Sequence, residues 1–143
     1  MILRNVTKAS GPWNIRALCD DRKECQLLRF LAELPAQYQG SQRSLLALLK
    51  SIADGSRSPH DLPDDKCHLI DRNHGIWEFI VGKIRVLWFY DKGKIILLSH
   101  AFLKTTKKTP PPEISLAISN KNKYEADKKS NEITILPDEQ GTK

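Results

Sequence analysis

The spacing of apolar residues changes once along this chain, and that change constrains the fold more than any other feature. Before residue 57 the apolar residues recur at helical spacing, as at Leu27, Leu31 and Leu34. After a loop rich in Ser, Pro and Asp at 57–65, they fall in short runs rich in Ile, Val, Trp, Phe and Tyr, which is typical of β-strands. The order predicts helices packed on one face of a small sheet, the α+β class.

The first half of the chain predicts a strand and a helical hairpin. A short strand is expected at 13–18, and Asp21 with Glu24 then forms a candidate capping box. The first helix is predicted over 21–34 and the second over 41–53, because each carries one stripe of leucines.

The second half predicts an antiparallel β-meander and a C-terminal helix. Three strand-like runs lie at 76–81, 84–90 and 95–103, joined by short turns that contain Gly82 and Gly93. Thr109 precedes three prolines and is expected to cap the last helix.

A chain of 143 residues suits one domain, which we expect over 1–127, followed by a polar and flexible tail at 128–143. No apolar run approaches the roughly 18–20 residues of a membrane helix. The first residues are too polar for a secretory signal. These observations predict a cytoplasmic protein without a membrane interaction.

The cysteines do not predict a disulfide framework or a metal site. There are three, Cys19, Cys25 and Cys67, which is an odd and low number that fits a reducing cytosol. Cys67 is followed by His68, but no Cys-x-x-Cys or His-x-His spacing occurs. We therefore expect no metal and no small-molecule cofactor.

Positive charge is concentrated in one segment. The net charge is +6, and residues 83–108 hold seven basic residues against one acidic residue, so this stretch alone carries the whole excess. A concentrated basic surface favours a polyanion such as nucleic acid. The alternative is a solvated basic face without a specific partner.

The register of the meander decides which side chains share a face. A two-residue loop at 92–93 sets Arg85 opposite His100 and leaves the other face almost purely apolar, so we favour it. A three-residue loop ending at Gly93 suits glycine better but mixes the faces, and a bulge would reconcile the two. Across the preceding turn, Ile80 faces Arg85 and Glu78 is its diagonal neighbour.

The predicted face combines groups that suit phosphodiester cleavage. Arginine clamps phosphate with two parallel bonds, and histidine moves protons near neutral pH. Lysines stabilise charge on a phosphorane without metal. Candidate catalytic residues are Arg85, Lys104, Lys107 and His100, and candidate RNA-contacting residues are Lys83, Lys108 and Glu78. Glu78 is expected to orient Arg85 or to act as a base; the alternative is a surface Glu78–Arg85 ion pair beside a hydrogen-bonded histidine.

Three ordered motifs resemble a known family. Residues 75–79 read GIWEF, residues 84–89 read IRVLWF, and residues 95–110 read IILLSHAFLKTTKKTP. This series resembles the phage-derived, HigB-like branch of the RelE toxin superfamily, in which an apolar strand ends in His-x-Phe-x-Lys-Lys before Thr-Pro and a helix. The match is strong over these segments and weak over the helical hairpin.

The resemblance implies a RelE-like fold and the toxin of a toxin–antitoxin pair. Such toxins cut mRNA without metal, usually in the ribosomal A site, by attack of a ribose 2′-hydroxyl on the adjacent phosphate. Arg85 matches the arginine that contacts the scissile phosphate, and Lys104 and Lys107 match basic positions after the last strand. The motif leaves open whether His100 transfers protons or only packs. The implied partners are a helix-turn-helix, HigA-like antitoxin, mRNA and the ribosome.

Two departures keep other functions open. The family's arginine after Trp-Glu-Leu is Ile80 here, and the second lysine of the usual pair is Thr105. A toxin of the same fold directed at gyrase, as in the ParE relatives, is one alternative. A module that binds an antitoxin or phage component without catalysis is another.

Overall fold

The computed structural model describes residues 1–8 and 11–137. Three α-helices are present there, α1 at Gln26–Ala32, α2 at Gln39–Ala53 and α3 at Pro111–Lys129. Short 3₁₀ helices lie at Ala36–Tyr38 and Pro59–Asp61. None of the helices in this part of the chain has the length and hydropathy to cross a membrane.

Within the described residues, seven strands form one sheet in the order β3-β4-β5-β6-β2-β1-β7. Most neighbouring strands are antiparallel; β2 pairs parallel with β6, and β7 pairs parallel with β1. The strands are β1 Ile2–Asn5, β2 Asn14–Cys19, β3 Cys67–Asp71, β4 Ile76–Val81, β5 Ile84–Asp91, β6 Ile95–Leu103 and β7 Thr134–Leu136. The α+β class, the helical hairpin, the meander and the C-terminal helix are confirmed.

Both faces of this sheet are covered, which differs from the expected arrangement with helices on one face. The first core lies between the sheet and α1 with α2, and it includes Leu45, Ile52 and Trp88. The second lies between the sheet and α3, and it includes Phe89 and Tyr124. The strands β5 and β6 are apolar on both faces because each face has its own helical layer.

A bulge in β6 overturns the predicted register with β5. Leu87 pairs with His100 but Trp88 pairs with Leu98, so Ser99 is an extra residue in β6. The turn is wider than expected, because Asp91 pairs with Ile95. The wider turn shifts the register by one residue and the bulge shifts it by a second, so the predicted pairing of Arg85 with His100 is wrong and Arg85 pairs with Phe102. Because two shifts of one residue restore the face, His100 still lies on the same face of the sheet as Arg85.

The β4–β5 turn matches the prediction. Ile80 pairs with Arg85, and Gly82 has φ of 58°, the left-handed backbone that the first residue of a type II′ turn needs. A Cβ at Gly82 would lie 2.5 Å from the Ser41 hydroxyl, so a larger residue here would also displace that hydroxyl.

The helix termini differ from the predicted caps. The Asp20 carboxylate accepts bonds from the backbone N–H groups of Arg22 and Glu24, so residues 20–24 form a turn instead of the first helical turn. Cys25 is the N-cap of α1. At α3 the N-cap is Pro110, and the Thr109 hydroxyl is used elsewhere.

Three strands were not expected from the sequence. β1 lies in the N-terminal segment that has no clear period, and β3 precedes the meander. Residues 128–137, expected in a flexible tail, form the end of α3 and then β7 on the edge of β1. The remainder of that predicted tail, 138–143, lies outside the described residues.

One side chain completes the sheet where β2 stops. The pairing of β2 with β6 ends at Ala17 and Leu98, and beyond it Gln26 bonds both backbone groups of Ala101 at 2.9 Å.

Gln26→Ala is expected to lower the free energy of unfolding by about 1–2 kcal/mol, because the buried N–H and C=O of Ala101 lose their partner. Urea denaturation measures the change against Gln37→Ala, an exposed glutamine in the 3₁₀ helix; equal effects would contradict this role.

Candidate active site

Arg85 lies on the face of β5 that α3 covers, beside Phe102 and opposite Ile80. Its side chain is half-buried, and Nη1 donates to the carbonyl oxygens of Gly82 at 2.7 Å and Ile84 at 3.1 Å. Its Nε is buried without a hydrogen-bond partner. Burial lowers the pKa of this guanidinium, and the charge of Glu78 opposes that effect. Among the described residues no carboxylate lies within ion-pair distance of Arg85.

Lys83 and Lys104 meet at the end of the sheet where Arg85 lies. We call residues 104–108, which connect β6 to α3, the basic loop. The backbone N–H of Lys104 donates to the Lys83 carbonyl at 2.8 Å, so the start of this loop is fixed beside the β4–β5 turn. Lys83, Lys107 and Lys108 are exposed and Lys104 is half-exposed. The fold therefore brings Lys83 and the start of the basic loop to the same end of β5 as Arg85.

Glu78 is completely buried, which differs from its expected place among the RNA-contacting residues. Its Oε2 accepts a hydrogen bond of 2.6 Å from the Thr109 hydroxyl. Its Oε1 lies 3.2 Å from His68 Nε2, at ion-pair distance but without hydrogen-bond alignment. The carboxylate forms neither a surface ion pair with Arg85 nor a contact surface for RNA. It holds Thr109, and with it the C-terminal end of the basic loop.

His100 lies on the same sheet face but away from solvent, with an exposed fraction of 4 %. Its Nδ1 lies 2.9 Å from the Ser99 hydroxyl, which accepts a bond of 2.9 Å from Asn120. Its Nε2 lies 3.2 Å from a carboxylate oxygen of Glu113. Burial lowers the pKa of His100, and Glu113 opposes the shift. The buried imidazole therefore lies between the β6 bulge and Glu113 of α3.

This burial predicts a pH effect on stability. Below about pH 6.5 the unfolded chain binds a proton at His100 that the folded protein resists, so the free energy of unfolding falls until the folded-state pKa is reached. The slope is at most about 1.4 kcal/mol per pH unit. His100→Gln is expected to flatten it in urea denaturation between pH 7 and pH 5.5. His74→Gln, at an exposed histidine, is the control; equal slopes in the two variants would contradict the assignment.

Several residues of this region were missed by sequence reasoning. The sequence indicates Thr109 only as a helix cap, and it sets His68 beside Cys67 without the spacing of a metal site. Glu113, Ser99 and Asn120 carry no motif. The one signal in the sequence is the hydroxyl of Thr109 directly after Lys107 and Lys108. Its partner Glu78 lies 31 positions away, so no local pattern connects the two residues.

The described residues hold no group of three or more His, Cys, Asp or Glu side chains arranged to hold a metal ion. Cys67 is buried in the core while its neighbour His68 points to the opposite face, toward Glu78. All three cysteines are free thiols.

A comparison with protein families identifies the chain. Residues 29–122 match the model of the family described as phage derived protein Gp49-like (DUF891). The match includes Glu78, Arg85, His100 and the whole basic loop, and it spans well over half of the 143 residues. No curated protein matches the chain. The chain therefore belongs to the Gp49-like family of phage-derived proteins, a RelE/HigB-like toxin family that is associated with toxin–antitoxin systems.

Proposed function

We propose that this protein is a toxin that cuts mRNA as a metal-independent endoribonuclease bound to the ribosome. The observation that carries the proposal is the half-buried Arg85 with Lys83 and the start of the basic loop at its end of β5. Among the described residues, no carboxylate lies within ion-pair distance of its guanidinium. A phosphate group fits such a site, because guanidinium and ammonium groups are its strongest protein partners.

The proposed reaction is an internal transesterification. The ribose 2′-hydroxyl loses its proton and attacks the adjacent phosphorus, and the bond from phosphorus to the 5′-oxygen breaks. The leaving 5′-oxygen takes up a proton, so the products are a 2′,3′-cyclic phosphate and a 5′-hydroxyl end. Negative charge grows on the non-bridging oxygens in the transition state, and preorganised cations stabilise it.

In this proposal the position of each residue determines its role. Arg85 binds the scissile phosphate, and Lys104 and Lys107 stabilise its growing charge. Lys83 and Lys108 contact the flanking RNA backbone. His100 acts as a positioning residue rather than as a proton carrier, because its ring is buried between the β6 bulge and Glu113.

Membership of the Gp49-like family supports an antitoxin partner. We propose that this partner is a helix-turn-helix antitoxin of the HigA kind. Messenger RNA and the ribosome are the proposed targets, so the proposed place of action is the cytoplasm.

One observation favours a different target on the same fold. Ile80 pairs directly with Arg85, at the position where the RelE-like motif carries a second arginine. With Thr105 in place of a lysine, two expected cations are missing from the site. A toxin directed at gyrase, or a binding module without catalysis, would tolerate both changes.

Induced expression in a bacterium, with growth followed and mRNA 5′ ends mapped, tests the proposal. Growth arrest with new 5′ ends inside translated frames is the expected result. Arrest without new ends would point to another target, and unchanged growth without cleavage would favour a binding module. Lys92→Ala is the control for loss of a single lysine, because Lys92 is exposed at the opposite end of β5 from Arg85. This variant is expected to cleave mRNA like the unmodified protein.

A further inference from the structure

Cys19 and Cys25 lie opposite each other where β2 leaves the sheet. They form an isolated antiparallel bridge across the turn of residues 20–24. The turn is closed by a hydrogen bond of 2.8 Å from Asp20 N–H to the Glu24 carbonyl, so the two cysteines occupy a non-hydrogen-bonded pair. Cα atoms of such pairs are about 4.5 Å apart, inside the range of about 4.4–6.8 Å that a disulfide spans.

The two thiols differ in acidity because they interact with each other. A side-chain hydrogen bond from Cys19 lowers the pKa of Cys25, burial opposes it, and the backbone N–H groups of Leu28 and Leu27 lower it further. The same hydrogen bond raises the pKa of Cys19. Cys25 is thus the more acidic thiol of the pair, and the thiolate is the reactive form of cysteine.

Cavities adjoin this pair, in which Cys19 is half-exposed and Cys25 is 5 % exposed. A cavity of about 490 Å³ between the 20–24 turn and α3 is lined by both cysteines, and a second of about 320 Å³ beside Arg29 is lined by Cys25. Cys67 lines neither cavity, and burial with the charge of Asp64 raises its pKa to about 12. The third cysteine is therefore an internal reference for an unreactive thiol.

We propose that Cys19 and Cys25 are a redox-active dithiol that closes to a disulfide by exchange with a small-molecule disulfide such as glutathione disulfide. The Cys25 thiolate attacks one sulfur of glutathione disulfide, forms a mixed disulfide and releases one glutathione. Cys19 then loses its proton and attacks Cys25 Sγ, which releases the second glutathione. The protein dithiol is oxidised by two electrons, and glutathione disulfide is reduced to two glutathione molecules.

The position of this pair connects it to the rest of the fold. The residue after Cys25 is Gln26, whose side chain holds both backbone groups of Ala101 in β6. Ala101 follows His100 directly. A disulfide would fix the 20–24 turn and thereby the corner that supports β6. In a reducing cytosol such a bond is transient, which is typical of redox-sensing cysteines.

Tryptic mapping of the unmodified protein tests the proposal. Cleavage at Lys and Arg sets Cys19 in peptide 17–22, Cys25 in peptide 24–29 and Cys67 in peptide 67–72. After incubation of the folded protein with glutathione disulfide, the expected product is peptide 17–22 joined to peptide 24–29 by a disulfide. Its mass is the sum of the two reduced peptides less two hydrogen atoms. We expect it to form at least about tenfold faster than any adduct on Cys67. A reaction confined to Cys67, or no joined peptide after prolonged incubation with excess glutathione disulfide, would overturn the proposal.

Two variants sharpen this test. Cys19→Ser removes the resolving thiol, so Cys25 is expected to keep one glutathione as a stable mixed disulfide. Cys67→Ser is expected to form the joined peptide at the unmodified rate. If Cys19→Ser leaves Cys25 free of glutathione under the same conditions, then Cys25 is not the attacking thiol and the assignment is wrong.

Discussion

Replacing Arg85 by alanine is expected to lower the rate of mRNA cleavage by about 10²–10³-fold, the usual effect of removing one preorganised donor from a transition-state oxyanion. The proposed phosphate loses its guanidinium, and no neighbouring arginine replaces it because Ile80 occupies the paired position. Single-turnover cleavage of mRNA bound in the ribosomal A site measures this rate directly. The fold should be retained, since Arg85 bonds only backbone carbonyls in the structure described.

Two controls separate charge from geometry in that experiment. Arg85→Lys keeps the charge but loses the planar fork, so its rate is expected to lie between those of the alanine variant and the unmodified protein. Arg72→Ala removes an exposed arginine in the turn between β3 and β4 and should leave the rate unchanged. Equal rates for Arg85→Ala and Arg72→Ala would show that Arg85 is not the phosphate-binding residue.

The largest expected effect on stability comes from the buried bond between Thr109 and Glu78. Thr109→Val keeps the shape of the side chain but removes the donor, so a completely buried carboxylate loses its one aligned hydrogen bond in the structure described. We expect the free energy of unfolding to fall by about 2–3 kcal/mol, because a buried charged acceptor without its donor bears its full desolvation cost. Urea denaturation at pH 7 measures the change.

A matched control for this variant lies in the same segment. Thr105→Val makes the same chemical change in an exposed part of the basic loop and is expected to alter stability by less than about 0.5 kcal/mol. Glu78→Gln keeps an acceptor for Thr109 and should cost less than Thr109→Val. If the two valine variants are equally stable, the bond between Thr109 and Glu78 does not hold the basic loop.

The three strands of the meander were predictable because adjacent residues in the sequence determine them. Alternating runs and the glycine at position 82 set the three strands and the register of Ile80 opposite Arg85, and the structure confirms both. The pairing of β5 with β6 was not predictable in the same way. A turn one residue wider exchanges the faces of β6 near the turn, and a bulge at Ser99 restores them at His100. The amide of Asn120 on α3 bonds the Ser99 hydroxyl at that bulge.

The elements that were missed depend on distant partners. β1 and β7 are short and pair with each other from opposite ends of the described chain, so neither shows a period that marks a strand. In the candidate site, too, some features are local in the sequence and others depend on distant partners. The concentration of Lys and Arg was visible in the sequence, whereas the burial of Glu78 depends on His68 and Thr109, which only the folded chain brings to it.

Replacement of the ribose at the cleavage site tests the central claim most directly. An mRNA with 2′-deoxyribose at the nucleotide before the cut, bound in the ribosomal A site, lacks the proposed nucleophile. The account predicts no cleavage of this mRNA by the purified protein, and a 2′,3′-cyclic phosphate with a 5′-hydroxyl end from the all-ribose control. Cleavage of the deoxy substrate at the same position, or an all-ribose control that stays intact, would contradict the account.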